Sequence, residues 1–264
     1  MDLGMAGKVA IVTGGASGIG RKTCHAYAQE GVVPVIVGHG GEERGRKVAR
    51  ECLDLGVEAL YLNLDLRQGD RIQGVVDGVL ARLGRVDILV HNAAPNTDGS
   101  AVMPFLKQTE QIWQDNVDVI LWGAVRLTHA LLPHMFERGN GRLIYLCSDA
   151  GREGDPYQAV YAACKAAAVG FMKSMARYGG HKGVLANVVS PALTLTEENS
   201  DMLNTVYKAN TPEGMKKLTS HYPTGRLATG QDLANMIVFL TSERCSDVTG
   251  QVIGVNGGYF MPSC

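Results

Sequence analysis

The first apolar run, residues 9–12, leads directly into Thr13-Gly14-Gly15-Ala16-Ser17-Gly18-Ile19-Gly20, and an amphipathic segment then continues to residue 29. This order predicts a buried strand, a glycine-rich turn and a helix. Glycines in such a turn let backbone N–H groups approach a pyrophosphate, and a helix N-terminus favours an anion. The alternative is a tight turn without a ligand. The candidate dinucleotide contacts are Gly14, Ser17, Gly18, Ile19 and Gly20.

The rest of the chain alternates short apolar runs with helical patterns. The predicted strands are residues 9–12, 33–37, 59–62, 88–90, 143–146, 187–189 and 252–255. The predicted helices are residues 20–29, 42–55, 71–83, 109–137, 159–178 and 232–240. About six β-α repeats without a linker predict one α/β domain over residues 1–264, a doubly wound parallel sheet of Rossmann type with about seven strands and helices on both faces. Ligands of such sheets bind at the carboxyl ends of the strands.

One segment, residues 194–226, departs from this alternation. It is polar, its periodicity is weak, and it contains Pro212 and Pro223. An irregular segment of this length inside a compact domain favours a substrate lid, with or without short helices, over a plain connector. A surface insertion is the alternative.

Composition excludes several classes of partner. The net charge of the 264 residues is −1 and the pI is about 6.7, so neither nucleic acid nor an anionic membrane surface is expected as a partner. Residues 1–7 lack the features of a signal peptide, and no run approaches the length of a membrane span, which predicts a cytoplasmic protein. The six cysteines are dispersed, and no metal site is expected.

Two polar residues follow predicted strands on the dinucleotide side. Asp65 comes after the third strand, where its carboxylate is a candidate acceptor from an adenine amino group. Asn92 and Ala93 follow the fourth strand, where a planar ring would have to pass close to the backbone. Taken alone, Asp65 is more often a capping residue and Asn92 a turn residue bonded to its own backbone.

A second constellation lies further along the chain. Tyr161 and Lys165 are four residues apart on a predicted helix and therefore share one face, thirteen residues after Ser148. The unperturbed pKa of a phenol, about 10, must fall for efficient proton exchange near neutral pH. The ammonium of Lys165, together with a nicotinamide cation, is expected to lower it.

The order of these motifs resembles the short-chain dehydrogenase/reductase family over essentially the whole chain. The glycine turn is followed in sequence by Asp65, Asn92-Ala93, Asn116, Ser148, Tyr161 with Lys165, Pro191 with Thr196, and Asn256-Gly257-Gly258.

The resemblance implies a role for each matching residue. Tyr161 would be the acid/base, and Lys165 would lower its pKa and bind the nicotinamide ribose. Ser148 would hydrogen-bond the substrate oxygen, and Asn116 would interrupt the fourth helix and hold a water that links Lys165 to solvent. Further cofactor contacts are expected from His39, Leu66, Pro191, Ala192, Thr194 and Thr196. Taken singly, the four catalytic candidates could be a strand-end cap, a half-buried aromatic, a surface lysine and a polar helix residue.

The family pattern is altered at two places. His91-Asn92-Ala93-Ala94 stands where the family has Asn-Asn-Ala-Gly, and Pro191-Ala192 stands where it has Pro-Gly. Neither change removes a catalytic group. Both add atoms near the expected path of the cofactor.

The end of the second strand bears on the choice of cofactor. Gly38-His39-Gly40-Gly41 carries no acid before Glu42, and this favours NADP over NAD because a carboxylate there would accept from the ribose hydroxyls and repel a 2′-phosphate. His39 is a candidate ligand for that phosphate, and the alternative for Arg44 and Arg46 is a solvated position on a helix. Ser17 argues against NADP, because many NADP-preferring members carry a basic residue in the glycine turn.

The expected activity is an NAD(P)-dependent interconversion of a secondary alcohol and a ketone. Local likeness around Ser148 and Tyr161 points to a 3-oxoacyl thioester or a cyclic ketone as substrate. Pocket candidates are Pro95, Asn96, Asp149, Arg152, Tyr157 and Met202. The alternatives are a nucleotide-binding sensor or scaffold without redox activity, or a lyase or epimerase that uses the nicotinamide transiently. Apolar and small-residue helix faces and the resemblance together suggest a homotetramer or homodimer, with monomer core packing as the alternative.

Overall fold

The computed structural model describes residues 2–95 and 102–262. Its strands are β1 Val9–Thr13, β2 Val33–Gly38, β3 Leu60–Asn63, β4 Ile88–His91, β5 Gly141–Leu146, β6 Val184–Pro191, β7 Thr194–Leu195, β8 Ala228–Thr229 and β9 Val252–Val255. Its α-helices are α1 Gly18–Gln29, α2 Glu42–Asp54, α3 Gly69–Leu83, α4 Glu110–Asn116, α5 Gly123–Glu137, α6 Ala150–Glu153, α7 Ala159–Gly179, α8 Ser200–Tyr207, α9 Pro212–Leu218 and α10 Gly230–Thr241. The shorter helical pieces are the 3-10 turns Phe105–Lys107 and Gly180–Lys182 and the π-helical segment Val117–Trp122.

Seven strands form one parallel sheet in the order β3-β2-β1-β4-β5-β6-β9. The predicted α/β fold with about seven strands is therefore confirmed. The order reverses between β1 and β4, which pair with Ala10 opposite Ile88. In a doubly wound sheet, this reversal opens a crevice at the carboxyl ends of the two strands. The glycine turn after β1 and Asn92 after β4 both lie at that crevice.

The sheet is buried on both faces because successive side chains of a strand point to opposite sides. Ile11 and Leu89 belong to the core that α3, α5 and α7 cover. Their neighbours Val12 and Val90 belong to the core under α1, α2 and α10. This explains why the central strands are continuous apolar runs.

The predicted helix over residues 109–137 is three pieces in the structure, since the π-helical segment separates α4 from α5. The apolar pattern runs through the junction without a break, so the sequence does not show the change of helix type. Asn116 is the last residue of α4.

Among the described residues, one helical stretch, Glu110–Glu137, is long and apolar enough to cross a membrane by length and composition, with a mean hydropathy of 1.2. The prediction that no segment approaches such a span was wrong on that criterion. Its apolar character has a use within the fold, because Leu127, Leu131 and Met135 are fully buried against the sheet.

The segment 194–226 contains α8 and α9 and begins with β7, which pairs in parallel with β8. Leu203, Tyr222 and Leu227 form a small core of their own. The pairing of two-residue strands was not predicted. The single-domain boundaries and the role of 194–226 as a lid stay predictions.

Five cysteines are free and buried in the described part of the chain, while Cys264 lies outside it. Within residues 2–95 and 102–262, no group of three or more His, Cys, Asp or Glu side chains is placed to hold a metal. The pocket candidate Asn96 lies outside the described residues.

Candidate active site

A cleft of about 460 Å³ lies at the carboxyl ends of β1 to β4. The predicted cofactor residues that line it are Gly14, Ser17, Gly18, His39, Asp65, Leu66, Ala93 and Thr196. Arg44, Arg67, Asp115 and Glu198 also line it and were not predicted as contacts. The cleft has the shape and position expected for an extended dinucleotide.

The side chain of Asn92 stabilises the glycine turn. Its side-chain amide donates to the carbonyl oxygens of Thr13 at 3.0 Å and Gly14 at 3.3 Å. Gly14 has φ +66°, and an added Cβ would lie 2.8 Å from the Asn92 amide nitrogen. Asn92 is therefore a brace of the turn, and it does not line the cleft.

Two other turn residues also face inwards. A Cβ on Gly20 would collide with the Gly14 carbonyl, so Gly20 serves the close packing of α1 under the turn. Ile19 packs against the core between the sheet and α1. The anion donors that face the cleft are consequently at Ser17 and Gly18.

The adenine end of the cleft carries an ion pair. Asp65 accepts from the Arg67 guanidinium, with Nη2 at 2.8 Å, and from the Arg67 backbone N–H at 3.0 Å. The hydrogen bond from Arg67 holds the pKa of the Asp65 carboxyl below its usual range. His39 Nε2 lies 3.5 Å from the same carboxylate. An adenine amino group would share Asp65 with these partners.

Arg44 lies over the loop that follows β2. A Cβ built on Gly41 would be 3.1 Å from Nε and Nη2 of Arg44. Among the described residues, Arg44 has no hydrogen-bond or ion-pair partner, whereas Arg46 donates to Glu42 at 2.6 Å. A cation without a partner therefore faces the end of the cleft where a ribose phosphate would lie.

Ser148 and Tyr161 are brought together at the carboxyl end of β5. Burial raises the pKa of the Tyr161 phenol to about 12, and the nearby Ser148 side chain offsets only part of this rise. Ser148 Oγ also accepts from the Ala150 backbone N–H at 3.2 Å. The hydroxyl pair is the geometry needed to hold a substrate oxygen.

Lys165 lies behind Tyr161 on α7. Its Nζ donates to the Leu146 carbonyl at 2.7 Å and is 5.5 Å from the centre of the Tyr161 ring. Burial lowers the pKa of Lys165 to about 8. In the protein without cofactor, the ammonium is turned to a backbone carbonyl and desolvation of the phenol dominates. The lowering of the Tyr161 pKa by Lys165 together with a nicotinamide cation stays a prediction.

Asn116 reaches the same centre from the other side. It is buried, and its side-chain amide donates to the Ile112 carbonyl at 2.8 Å. One cavity of about 230 Å³ is lined by Asn116 and Tyr161 together with Pro95, Gln108 and Gln158. The four residues predicted as catalytic thus converge, with Lys165 buried beneath the cavity.

His91 connects the glycine turn to the π-helical segment. Its Nε2 lies 3.1 Å from the Ile120 carbonyl, and its Nδ1 lies 3.4 Å from Thr13 Oγ1. Thr13 Oγ1 already accepts from the N–H groups of Asn92 and Ala93, so its own proton is free for Nδ1, and Nε2–H donates to Ile120. The imidazole is therefore placed as a neutral structural bridge, and burial lowers its pKa to about 3.

Of the predicted cofactor contacts in and after the last residue of β6, Thr196 lines the cleft, whereas Pro191, Ala192 and Thr194 do not. The Pro191 carbonyl, the last of β6, accepts from the Asp149 N–H, and Thr194 Oγ1 donates to the Ala192 carbonyl at 3.2 Å. Thr196 lines the cleft directly. The contacts of Pro191, Ala192 and Thr194 therefore position the segment that contains Thr196.

Two of the pocket candidates are structural. Asp149 is 2% exposed and accepts from Ser190 Oγ at 2.8 Å and from Asn256 Nδ2 at 2.6 Å. Arg152 pairs with Asp149 and stacks on the Phe260 ring at 4.3 Å. Their placement in a substrate pocket was wrong, because partners from β6 and from beyond β9 bury them. Tyr157 and Met202 are exposed.

Comparison with known proteins agrees with this geometry. The family model described as enoyl-(acyl carrier protein) reductase matches residues 14–260. The 3-oxoacyl-[acyl-carrier-protein] reductase FabG of Staphylococcus epidermidis is 32% identical over 254 residues, which cover 96% of this chain and 99% of the relative. FabG of Escherichia coli K12 is 32% identical over 255 residues, 97% of this chain and 98% of the relative.

Solved structures of sugar-converting enzymes are also similar. L-sorbose reductase from Gluconobacter frateurii, complexed with NADPH and L-sorbose, superposes with a TM-score of 0.90 at 30% identity over the full length of both chains. A putative NAD(P)-dependent gluconate 5-dehydrogenase from Beutenbergia cavernae, with bound NADP, gives a TM-score of 0.86 at 30% identity and covers 98% of this chain and 99% of that one.

The chain belongs to the short-chain dehydrogenase/reductase family. The predicted class, an oxidoreductase that interconverts a secondary alcohol and a ketone, is confirmed.

Proposed function

We propose that this chain is an NADP-dependent carbonyl reductase in which Tyr161 is the proton donor. The observation that carries the proposal is the cavity that Tyr161 and Asn116 line together, with Ser148 close enough to the Tyr161 phenol to lower its pKa. Ser148 and Tyr161 hold the carbonyl oxygen, and Tyr161 delivers its proton as negative charge develops there.

The residues fit a nicotinamide dinucleotide. The Gly18 N–H, in the cleft, already donates to a carboxylate at 3.0 Å, so this amide is able to donate to an anionic oxygen. Gly14, Ser17 and Gly18 would hold the pyrophosphate, Asp65 and Leu66 the adenine, and Lys165 the nicotinamide ribose. When bound, the cofactor supplies the hydride.

Lys165 and Asn116 complete the proton path. Lys165 has to turn from the Leu146 carbonyl towards the ribose, which brings its charge closer to the Tyr161 oxygen. Asn116 would hold a water that links Lys165 to solvent, because its carbonyl oxygen stays available while its amide binds Ile112.

The preference for NADP rests on Arg44 and His39. Arg44 is the cation without a described partner at the end of the cleft, and Asp65 is neutralised by Arg67, so nothing in that corner strongly repels a 2′-phosphate. The NADPH and NADP complexes of the two sugar-converting relatives support the same choice.

Arg44→Ala tests this preference. A charge-assisted bond to the 2′-phosphate is worth about 1.5–3 kcal/mol, so Kd for NADPH should rise by roughly tenfold or more while Kd for NADH stays unchanged. Arg46→Ala, which removes a neighbouring cation held by Glu42, is the matched control. An equal loss for both cofactors would contradict the assignment.

The substrate we propose is a 3-oxoacyl thioester, supported by the relatives with the name 3-oxoacyl-[acyl-carrier-protein] reductase. Keto sugars are the second candidate, because similar structures act on sorbose or are named for gluconate. Consumption of NADPH should be measured in parallel on 3-oxoacyl thioesters, cyclic ketones, sorbose and 5-ketogluconate. The proposal requires the highest kcat/KM on a thioester, and a higher value on either sugar would overturn it.

We also propose a cytoplasmic enzyme that forms a homotetramer or homodimer, with residues 194–226 as its substrate lid. Trp122, in the π-helical segment, is exposed and stacks with Arg126 at 5.7 Å, which supports a contact surface there.

A further inference from the structure

Two consecutive carboxylates of the proposed lid contact the start of α1. Glu198 Oε1 accepts from the Gly18 N–H at 3.0 Å. Glu197 Oε2 accepts from Arg21 Nη1 at 2.7 Å, and Glu197 Oε1 lies 3.5 Å from Lys22 Nζ. Both glutamates immediately follow Thr196, which lines the dinucleotide cleft.

The Glu198 contact satisfies a donor that α1 leaves open. Ser17, at the N-cap, makes no side-chain capping bond, and the first turn of α1 contains no acidic residue. A helix without a cap retains free N–H groups and a favourable field for an anion. Glu198 supplies this anion from 180 residues further along the chain.

Glu197 and Glu198 are themselves exposed, and the contacts of Glu197 and Asn199 hold the segment that carries Glu198. Attraction by Arg21 and Lys22 holds the pKa of Glu197 below its usual range, so Glu197 is charged at neutral pH. Arg21 is itself held by Glu51 at 2.8 Å. Asn199 fixes the backbone on both sides, because it accepts from the Thr196 N–H at 2.9 Å and donates to the Thr194 carbonyl at 2.7 Å.

We infer that Glu198 competes with the cofactor pyrophosphate for the Gly18 amide and thereby sets the affinity for dinucleotides. The inference rests on the proposed function, since it takes the cleft to be the dinucleotide site. A carboxylate and a pyrophosphate are both anions and cannot accept from one N–H at the same place. Binding therefore requires Glu198 to leave, whereas Glu197 keeps the start of the segment anchored to Arg21.

The competition has a specific signature. Because the pyrophosphate is common to NADPH and NADH, removal of the Glu198 charge strengthens binding of both by the same factor. It also strengthens binding of ADP, which has the pyrophosphate, but not that of adenosine, which lacks it. A change at the 2′-phosphate corner, such as Arg44→Ala, separates NADPH from NADH instead.

The test is the Kd of the full-length protein for NADPH, NADH, ADP and adenosine, by ligand fluorescence and calorimetry. Glu198→Gln removes the charge and Glu198→Ala removes the acceptor as well. We expect Kd for the first three ligands to fall by about twofold to fivefold in the order wild type, Gln, Ala, which corresponds to the usual strength of a charge at a helix N-terminus. Glu213→Gln, an exposed acid in the first turn of α9, is the matched control and should change nothing.

Unchanged or weaker binding of NADPH by both Glu198 variants, while the wild type binds it, overturns this inference and leaves the proposed function intact. Tighter binding of adenosine as well would also overturn it, since the effect would then not concern the pyrophosphate. Failure of all variants and the wild type to bind NADPH, NADH and ADP overturns the proposed function, and the inference with it.

Discussion

At the scale of single residues, burial controls the protonation of the site. The pKa of Tyr161 is raised to about 12 and that of Lys165 is lowered to about 8. Tyr161 is therefore a neutral phenol at physiological pH, the form that donates a proton when a ketone is reduced. Oxidation of an alcohol needs the phenolate, which must be stabilised by the charges that arrive with the cofactor. In the protein without cofactor, Tyr161 therefore has the protonation state that reduction of a ketone requires.

His91 gives the first residue-scale prediction. Its pKa is about 3 in the fold and about 6.5 when unfolded, so it contributes stability that is present above pH 6.5 and lost as the pH falls towards 3. His91→Gln, which retains a donor for Ile120, should lower this acid sensitivity. At about pH 5 the wild type should have lost about 2 kcal/mol more of its free energy of unfolding, relative to pH 7.5, than the variant.

Denaturant unfolding at the two pH values measures the effect. His129→Gln, an exposed histidine of α5, is the control and should follow the wild type. Equal losses in wild type and His91→Gln would show that His91 titrates normally and is not held neutral by burial.

At the scale of elements, the carboxyl ends of β5, β6 and β9 are joined by one buried carboxylate. Asp149 follows β5, accepts from Ser190 of β6 and from Asn256 after β9, and pairs with Arg152 of α6. These contacts of Asp149 hold the loop that carries Ser148. Removal of the Asp149 carboxylate should therefore lower both the stability of the protein and its activity.

Asp149→Ala should lower Tm by about 10 °C, because breaking a buried charge network costs about 3–5 kcal/mol and a chain of this size shifts by about 2–4 °C per kcal/mol. Calorimetry gives the shift. Asp247→Ala, an exposed aspartate, should leave Tm within about 1 °C of the wild type. A similarly small change for Asp149→Ala would mean that the network does not stabilise this end of the sheet.

The elements divide into those that local sequence specifies and those that it does not. The inner strands β1, β2, β4, β5 and β6 are largely buried and are continuous apolar runs. The edge strands β3 and β9 are only partly buried but are also mainly apolar, so all seven strands of the main sheet were predicted. The π-helical segment was missed because its apolar spacing matches the helices on both sides. The two-residue strands β7 and β8 were missed because their pairing joins Thr194 to Ala228, far apart in the sequence.

The same division holds at the site. Tyr161 and Lys165 were predicted to act together because i and i+4 share a helix face, and the role of Ser148 was predicted from the family resemblance. Asp149 was misassigned because the residues that bury it, Ser190 and Asn256, lie 41 and 107 residues away. Glu198 was missed for the same reason, although two acids directly after Thr196 were a signal that an anion is held near the glycine turn.

At the scale of the whole molecule, the fold separates binding from chemistry. The dinucleotide cleft lies where the strand order reverses between β1 and β4, and the catalytic cavity lies beside it between α4 and α7. His91 and Asn92 link the two, since one contacts the π-helical segment and the other the glycine turn. In the proposed assignment, Gly14, Ser17 and Gly18 contact the cofactor and Tyr161 transfers the proton, whereas Lys165 contributes to both functions.

The proposed assembly is tested by light scattering on the eluting protein. The expected mass is two or four times that of the 28.2 kDa chain. Trp122→Asp, which places a charge in the exposed aromatic surface, should shift the distribution towards monomer. A wild-type protein that elutes as a 28.2 kDa monomer would contradict the assembly without affecting the site.

The central claim is that Tyr161 transfers the proton, and Tyr161→Phe tests it most directly. NADPH consumption on the best thioester and Kd for NADPH are measured on the same preparations. The control is Tyr157→Phe, at an exposed tyrosine four residues earlier and outside α7. We predict that kcat falls by at least about 10²–10⁴-fold in Tyr161→Phe while Kd for NADPH changes little, and that Tyr157→Phe retains turnover. Substantial turnover by Tyr161→Phe would contradict the account.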